Sequence, residues 1–216
     1  MGEKILILTI LISSFLNPIS SLGDDFVSPR IESVEPKILA EHDLDLTNRL
    51  PGEYGNQVFT DNILLSLHYL KGDVERPLDW DKIREPFEVS FTLQPGEVFA
   101  FHGNSLVGLH PVITMNSRFF MEEGYRSLAG LGGNGVCHLA SLINWTAYEA
   151  GLEVFAPVGH DFFPISGIPK EFGVSIKSQD PRQNLYIRNN KDISLVFEFR
   201  INDQSINLKI IEGLEN

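Results

Sequence analysis

The stretch of sequence that decides the fold is Leu128–Val154, which reads LAGLGGNGVCHLASLINWTAYEAGLEV. It opens with four glycines, which permit backbone angles and close approaches that other residues resist: Gly130, Gly132, Gly133 and Gly135. The apolar residues that follow recur at helical spacing: Leu139, Ala140, Ile143 and Ala147. Gly151 suits the position just after a helix end. We therefore predict a glycine-rich loop leading into a helix over Cys137–Ala150, with the cysteine at its start.

Runs of alternating apolar and polar residues predict β-strands on both sides of this helix. Upstream, Phe87–Leu93 (FEVSFTL) alternates, and a Gln-Pro-Gly turn separates it from a second strand at Val98–Phe101. Downstream, three runs alternate in the same way, the last two joined by a hairpin turn at residues 202–204: Asn184–Arg188, Ile193–Ile201 and Ser205–Ile211. The predicted fold class is therefore α+β, a single mixed domain with antiparallel strands at its C-terminal end.

The chain is predicted to consist of three segments. Residues 1–23 combine a lysine near the start with the apolar run Ile5–Leu16, which is the pattern of a signal peptide. Because Glu3 offsets that lysine, an uncleaved N-terminal membrane anchor is the alternative. Residues 24–55 are interrupted by prolines and are expected to form an extended N-terminal segment. Asn56–Lys71 then has helical spacing, and the main domain is expected to span residues 56–216.

Charge and cysteine content exclude some classes of function. The chain has 29 acidic and 17 basic residues, a formal net charge of -12, and no cluster of lysine or arginine, which argues against a nucleic-acid partner. Its one cysteine has no partner for an internal disulfide. In an exported protein Cys137 is then a free thiol, an intermolecular partner or a small buried hydrophobe.

The predicted position of Cys137 favours nucleophilic chemistry. Unpaired N–H groups and the helix dipole at a helix N-terminus stabilise a thiolate, so we expect the pKa of this thiol to be lowered. The unpaired N–H groups at that helix end could also bind the oxyanion that forms when a thiolate attacks a carbonyl. The glycines before the helix would let a substrate approach the backbone closely.

A nucleophilic cysteine also needs a base, usually a histidine. Of the six histidines, His138 is adjacent to Cys137 and its side chain should point about 100° away on the helix. His160 is better placed, because the helix and the short strand after it can bring the chain back to the helix start. His102 and His110 are second choices on an earlier loop. No histidine pair has the spacing of a zinc motif, and we predict neither a metal site nor a cofactor.

Four features together resemble the VanW family. They are the strand Leu93–Phe101 (LQPGEVFAF), the loop Gly132–Leu139 (GGNGVCHL), the helix end Ala150–Glu153 (AGLE), and His160 soon after it. The resemblance covers residues 55–212, and the glycine–cysteine loop is its most specific part.

The resemblance implies a role in the bacterial cell envelope, with peptidoglycan peptides or another cell-wall component as partner. Some members of the family are regarded as L,D-transpeptidase-like enzymes that cross-link peptidoglycan stem peptides through this cysteine. Carried over, Cys137 would be the nucleophile, His160 its general base, and the N–H groups of Cys137 and His138 the oxyanion donors.

Two departures from the family pattern keep a second function open. The glutamine that usually follows the cysteine is His138 here, and the acidic motif expected after the histidine is absent from Gly167–Ile176 (GIPKEFGVSI). The group that orients His160 is therefore undecided between Asp161 and Asp180. The alternative to a cysteine acyltransferase is a non-catalytic accessory module that binds peptidoglycan or a glycopeptide.

Overall fold

A four-stranded antiparallel sheet runs through the domain and is built from both ends of the chain. The computed structural model describes residues 36–213 except Ala129; the predicted signal segment, residues 1–23, and residues 24–35 lie outside the described residues. In chain order the elements are β1 (Ile38–Asp45), α1 (Glu53–Lys71), α2 (Trp80–Arg84), β2 (Phe87–Leu93), β3 (Val98–Ala100), β4 (Ser127–Leu128), β5 (Leu131–Gly132), α3 (Val136–Glu149), β6 (Glu153–Phe155), β7 (Tyr186–Arg188), β8 (Leu195–Ile201) and β9 (Ser205–Glu212).

The large sheet has the strand order β1-β9-β8-β2, with antiparallel pairing throughout. Alternation in β2 and β8 turns one set of side chains into the core, where Phe91 pairs with Phe197 and their rings stack at 4.6 Å. Phe197 and Phe199 are fully buried. The predicted α+β class with C-terminal antiparallel strands is confirmed.

Part of the segment expected to be extended is a strand of this sheet. β1 pairs with β9 along its whole length, from Ile38 opposite Ile211 to Asp45 opposite Ser205. Residues 38–45 therefore belong to the same hydrogen-bonded sheet as the C-terminal hairpin. Within residues 36–213, no helix is both long and apolar enough to cross a bilayer.

Two smaller sheets surround the glycine-rich loop and α3. β3, β7 and β6 form an antiparallel sheet in the order β3-β7-β6, and β6 follows directly after α3. β4 and β5 form a two-stranded ribbon immediately before α3. α1 begins three residues before the predicted start and ends at Gly72, which adopts the left-handed conformation expected of a helix C-cap.

A buried carboxylate ties α1 to the neighbouring elements. The side chain of Asp61 on α1 is fully buried and accepts hydrogen bonds from Arg84 of α2 at 2.9 Å and from Gln57 at 2.7 Å. It also forms an ion pair with Arg126, just before β4, at 2.8 Å. The Arg126 guanidinium lies over the Trp80 ring, 4.3 Å from its centroid. Asp61 therefore links α1 to α2 and to the chain that enters the glycine-rich loop.

We predict that Asp61→Ala lowers the free energy of unfolding by about 2 to 3 kcal/mol, because two partly exposed guanidinium groups lose their buried partner. Asp81→Ala is the matched control, since Asp81 pairs with Arg84 from a fully exposed position and should cost less than about 0.5 kcal/mol. Denaturant unfolding followed by circular dichroism measures both; equal losses would show that the buried network is not important for stability.

Candidate functional site

The glycine-rich loop holds the start of α3 against α1. Gly135 is the N-cap of α3 and has φ +98°, in the left-handed region that favours glycine. A Cβ at this position would lie 2.5 Å from the carbonyl oxygen of Phe59 on α1, so any larger residue would push the two helices apart. Gly133 has φ +70°, and its Cβ would lie 3.0 Å from the Phe119 side chain.

Asn62 braces the loop from inside α1. Its fully buried side-chain amide donates to the carbonyl oxygens of Arg126 at 3.0 Å and Asn134 at 2.9 Å, and its oxygen accepts from the Arg126 N–H at 2.7 Å. It thus holds both ends of the loop that precedes Cys137. The sequence Asn62–Leu65 (NILL) suits the VanW resemblance, but no role for the Asn62 side chain was predicted; the available signal was a polar residue directly before the apolar run Ile63–Leu65.

Three polar groups along one side of α3 hold the segment Phe172–Ile176. Asn144 donates to the Phe172 carbonyl at 2.9 Å. The Ser141 hydroxyl accepts from the Val174 N–H at 2.9 Å, and the Cys137 Sγ accepts from the Ile176 N–H at 3.4 Å. We call these three contacts the α3 ladder. Positions 137, 141 and 144 lie on one face of the helix. Together they therefore contact alternate residues of the extended segment, one residue each.

A cavity of about 490 Å³ lies at the N-terminal end of α3. Its lining contains all six of the predicted site residues: Gly132, Gly133, Gly135, Cys137, His138 and His160. The second-choice histidines do not line it. His102 is buried elsewhere and bonds the Gln183 carbonyl at 3.0 Å. In the part of the chain that the structure describes, no cluster of histidine, cysteine, aspartate or glutamate residues could hold a metal ion.

His160 is oriented by the backbone rather than by a carboxylate. Its Nδ1 lies 2.9 Å from the Phe163 carbonyl oxygen, which fixes the tautomer with the proton on Nδ1 and leaves the Nε2 lone pair for another partner. Asp161 and Asp180, the groups considered from the sequence, make no hydrogen bond to it among the described residues; Asp180 instead pairs with Arg182 at 3.0 Å. Burial lowers the pKa of His160, so its imidazole is neutral near pH 7.

The prediction of a lowered thiol pKa is wrong. Cys137 as a whole residue is partly exposed, but its thiol group is surrounded by protein. This burial raises the pKa of the thiol to about 11. The N–H groups of Ile176 and of Cys137 itself oppose the shift and do not overcome it. Among the described residues no hydrogen bond joins Cys137 to His160; the hydrogen bonds that the Sγ atom forms with other residues are with Ile176. In the resting protein a neutral thiol and a neutral imidazole therefore line the same cavity without a hydrogen bond between them.

The His138 N–H is not available as an oxyanion donor. It donates to the Gly135 carbonyl at 2.9 Å, within the first turn of α3. The Ile176 N–H, which the sequence analysis missed, points at the Sγ atom instead. No sequence signal identifies it, because a backbone group can come from any residue type.

The His138 side chain forms a buried wall of the cavity. Its ring lies edge-on to Phe59 at 5.1 Å and to His160 at 6.1 Å between centroids, and its Nδ1 has no hydrogen-bond partner. Burial, with smaller contributions from the charges of Arg49 and His160, lowers the pKa of His138 to about 3. The ring is therefore uncharged near pH 7.

We predict that Gly135→Ala lowers the free energy of unfolding by at least about 2 kcal/mol, because left-handed strain adds to a clash with α1. Gly108→Ala is the matched control: Gly108 has φ +88° but open space around its Cβ, so strain alone should cost about 1 kcal/mol. Thermal or denaturant unfolding of both variants isolates the contact with Phe59, and equal losses would contradict the account of the helix contact.

Comparison with known proteins gives one match. No curated protein and no solved structure shows significant similarity to this chain. The family model described as VanW like protein matches residues 89–211, which is more than half of the 216 residues and runs from β2 to β9. The matched region includes the glycine-rich loop, Cys137 and His160. The chain therefore belongs to the VanW-like family.

Proposed function

We propose that this protein is an exported cysteine acyltransferase, resembling L,D-transpeptidases, that acts on peptidoglycan stem peptides. Membership of the VanW-like family associates the chain with vancomycin resistance and with the cell wall. The observation that carries the finer proposal is the cavity that contains both the Cys137 thiol and a neutral His160 whose Nε2 is left free by the Phe163 carbonyl.

In the first step the Cys137 sulfur attacks a peptide carbonyl of the donor stem peptide. His160 Nε2 takes the thiol proton, either directly or through one water, as the carbon–sulfur bond forms. The resulting imidazolium then gives this proton to the leaving amine as the carbon–nitrogen bond breaks. The products of the step are a thioester on Cys137 and a free amine.

In the second step an amine from another stem peptide attacks the thioester. His160 accepts a proton from this amine and returns it to the departing thiolate, so that the thiol is regenerated and a new amide bond is formed. No oxidant, reductant or metal is required by this balance. The backbone N–H groups of Cys137 and Ile176, which donate to the sulfur in the resting protein, would turn to the oxyanion of each tetrahedral intermediate once the sulfur has attacked.

The raised thiol pKa sets a condition on this mechanism. A thiol whose pKa is about 11 is protonated at pH 7, so deprotonation must accompany the attack rather than precede it. A neutral imidazole is suited to that task, because it can accept the proton when the substrate carbonyl is in place. The resting protein should then be protected from indiscriminate alkylation and oxidation.

A non-catalytic binding module is the second candidate. It is favoured by the place of Cys137 in the α3 ladder, where the sulfur acts as a hydrogen-bond acceptor for Ile176 and supports the fold. In that case the cavity would bind a cell-wall peptide or glycopeptide, and the cysteine would have no chemical role.

We predict that Cys137→Ser lowers the rate of stem-peptide cross-linking by about 10³-fold or more while the protein stays folded. Serine keeps an acceptor for the Ile176 N–H, so the α3 ladder is preserved. His160→Gln should lower the same rate strongly, and the exposed His110 supplies the control variant His110→Gln. Chromatography of the peptide products measures turnover, and intact-mass spectrometry of the wild type detects the thioester.

Unchanged turnover in Cys137→Ser would contradict the acyltransferase proposal. Wild-type protein that sediments with cell walls, shows no turnover, and sediments equally well as Cys137→Ser would favour the binding module. A protein that neither turns over stem peptides nor sediments with cell walls would contradict both candidates.

A further inference from the structure

The lining of the Cys137 cavity differs in charge from the rest of the chain. It contains two cations, Arg118 and Lys177, and no aspartate or glutamate. The chain as a whole has 29 acidic and 17 basic residues. A cavity lined by cations but by no carboxylate favours an anionic ligand, even in a protein that is acidic as a whole.

Both cations are free to meet such a ligand. Arg118 and Lys177 are exposed, and neither forms an ion pair with a carboxylate of the described residues, whereas most other lysines and arginines there do. The Arg118 guanidinium lies over the Phe120 ring, 5.0 Å from its centroid, which positions it without neutralising it.

Two carboxylates on the segments that carry Arg118 and Lys177 are already bound to other groups. Glu123 accepts hydrogen bonds from the backbone N–H groups of Arg118 and Phe120, at 2.9 and 3.0 Å, and from the Ser117 hydroxyl. Asp180 accepts from the Arg182 guanidinium at 3.0 Å. Neither carboxylate lines the cavity, and both are held by donors of their own.

The two cations lie on segments that are fixed to each other. The Ser178 hydroxyl donates to the Arg118 carbonyl at 2.6 Å, which joins the residue next to Lys177 to the loop that carries Arg118. The Asn104 side chain also donates to the Ser178 carbonyl, at 3.1 Å. The cavity rim therefore presents both charges from one braced structure rather than from two independent loops.

A third cation lies behind the cavity wall. Arg49 is 3% exposed, and its Nε and Nη1 atoms have no hydrogen-bond partner. Its charge reaches the wall of the cavity, because it contributes to lowering the pKa of His138. Asp45 is close enough to interact with Arg49, but its carboxylate is bound to Thr47. A buried guanidinium without a bound carboxylate is costly, and an anion in the cavity would offset part of that cost.

Building on the proposed function, we infer that the cavity selects a peptide with a free carboxylate, which Arg118 and Lys177 bind at the rim while the reacting carbonyl lies at Cys137. A carboxylate suits the planar fork of an arginine, which can donate two parallel hydrogen bonds to it. Arg118 and Lys177 are then specificity-determining residues: they hold one end of the substrate and take no part in the proton transfers.

The test is direct binding of two peptides to the full chain carrying Cys137→Ser, so that no acyl transfer occurs. One probe is a fluorescent synthetic stem tetrapeptide with free carboxylates; the other is the same peptide with each carboxylate converted to an amide. Fluorescence polarisation gives the dissociation constants at low and high salt. A double variant combines Arg118→Gln with Lys177→Gln. The control variant is Lys191→Gln, because Lys191 is a cation outside the cavity lining.

We expect the free-carboxylate peptide to bind about tenfold more tightly than the amide, with the difference shrinking at high salt. The double variant should lose that preference and the Lys191→Gln control should keep it. Equal binding of the two peptides, or a preference that survives in the double variant, would overturn the inference. So would a short glycerol-phosphate oligomer that binds more tightly than either peptide, since it would show that the cations select phosphate.

The carboxylate preference and the proposed acyltransferase activity can fail independently of each other. A carboxylate preference with no acyl-enzyme in the wild type would support the inference and contradict the enzyme proposal. An acyl-enzyme formed equally well from free and amidated peptides would contradict the inference alone.

Discussion

The α3 ladder is the interaction on which the site depends. Cys137, Ser141 and Asn144 each form one hydrogen bond with the backbone of Phe172–Ile176, and the last two residues of that segment, Ser175 and Ile176, line the cavity. The near wall is the glycine-rich loop, which Asn62 holds from α1. The cysteine is thus both a structural contact and the one thiol in the chain. Any reaction at its sulfur must therefore take place at the position that this packing fixes.

This dual role explains the electrostatic state of the resting site. Seating the sulfur against Ile176 removes it from water, and the loss of solvation outweighs the stabilisation that backbone N–H groups give to a thiolate. Burial also favours the neutral form of His160, and for a histidine this means that the pKa is lowered rather than raised. The cavity is therefore lined by a neutral thiol and a neutral imidazole, with two cations at its rim. Under the proposed mechanism, negative charge would develop in this cavity during the reaction rather than being present beforehand.

Much of the fold was readable from the sequence, because alternation and helical spacing reflect burial directly. The bounds of β2 were predicted without error, and those of β8, β9 and α3 within two residues. The structure places His160 on the same cavity as Cys137, because the chain returns towards the N-terminal end of α3 after that helix. The roles of backbone groups could not be predicted: the Phe163 carbonyl and the Ile176 N–H carry no residue-type signal. The sign of the thiol pKa shift also required the structure, because it depends on how closely the segment Phe172–Ile176 covers the sulfur.

The measurement that tests this account most directly is the rate of Cys137 alkylation by iodoacetamide as a function of pH, in native and in denatured protein. An acid whose folded pKa is raised stays protonated to higher pH than in the unfolded chain, where a cysteine titrates near about 8.5. The account predicts that the denatured rate levels off above about pH 9, while the native rate still rises through pH 10 without a plateau. A native plateau at or below pH 8.5 would show a preformed thiolate and contradict the neutral thiol–imidazole site.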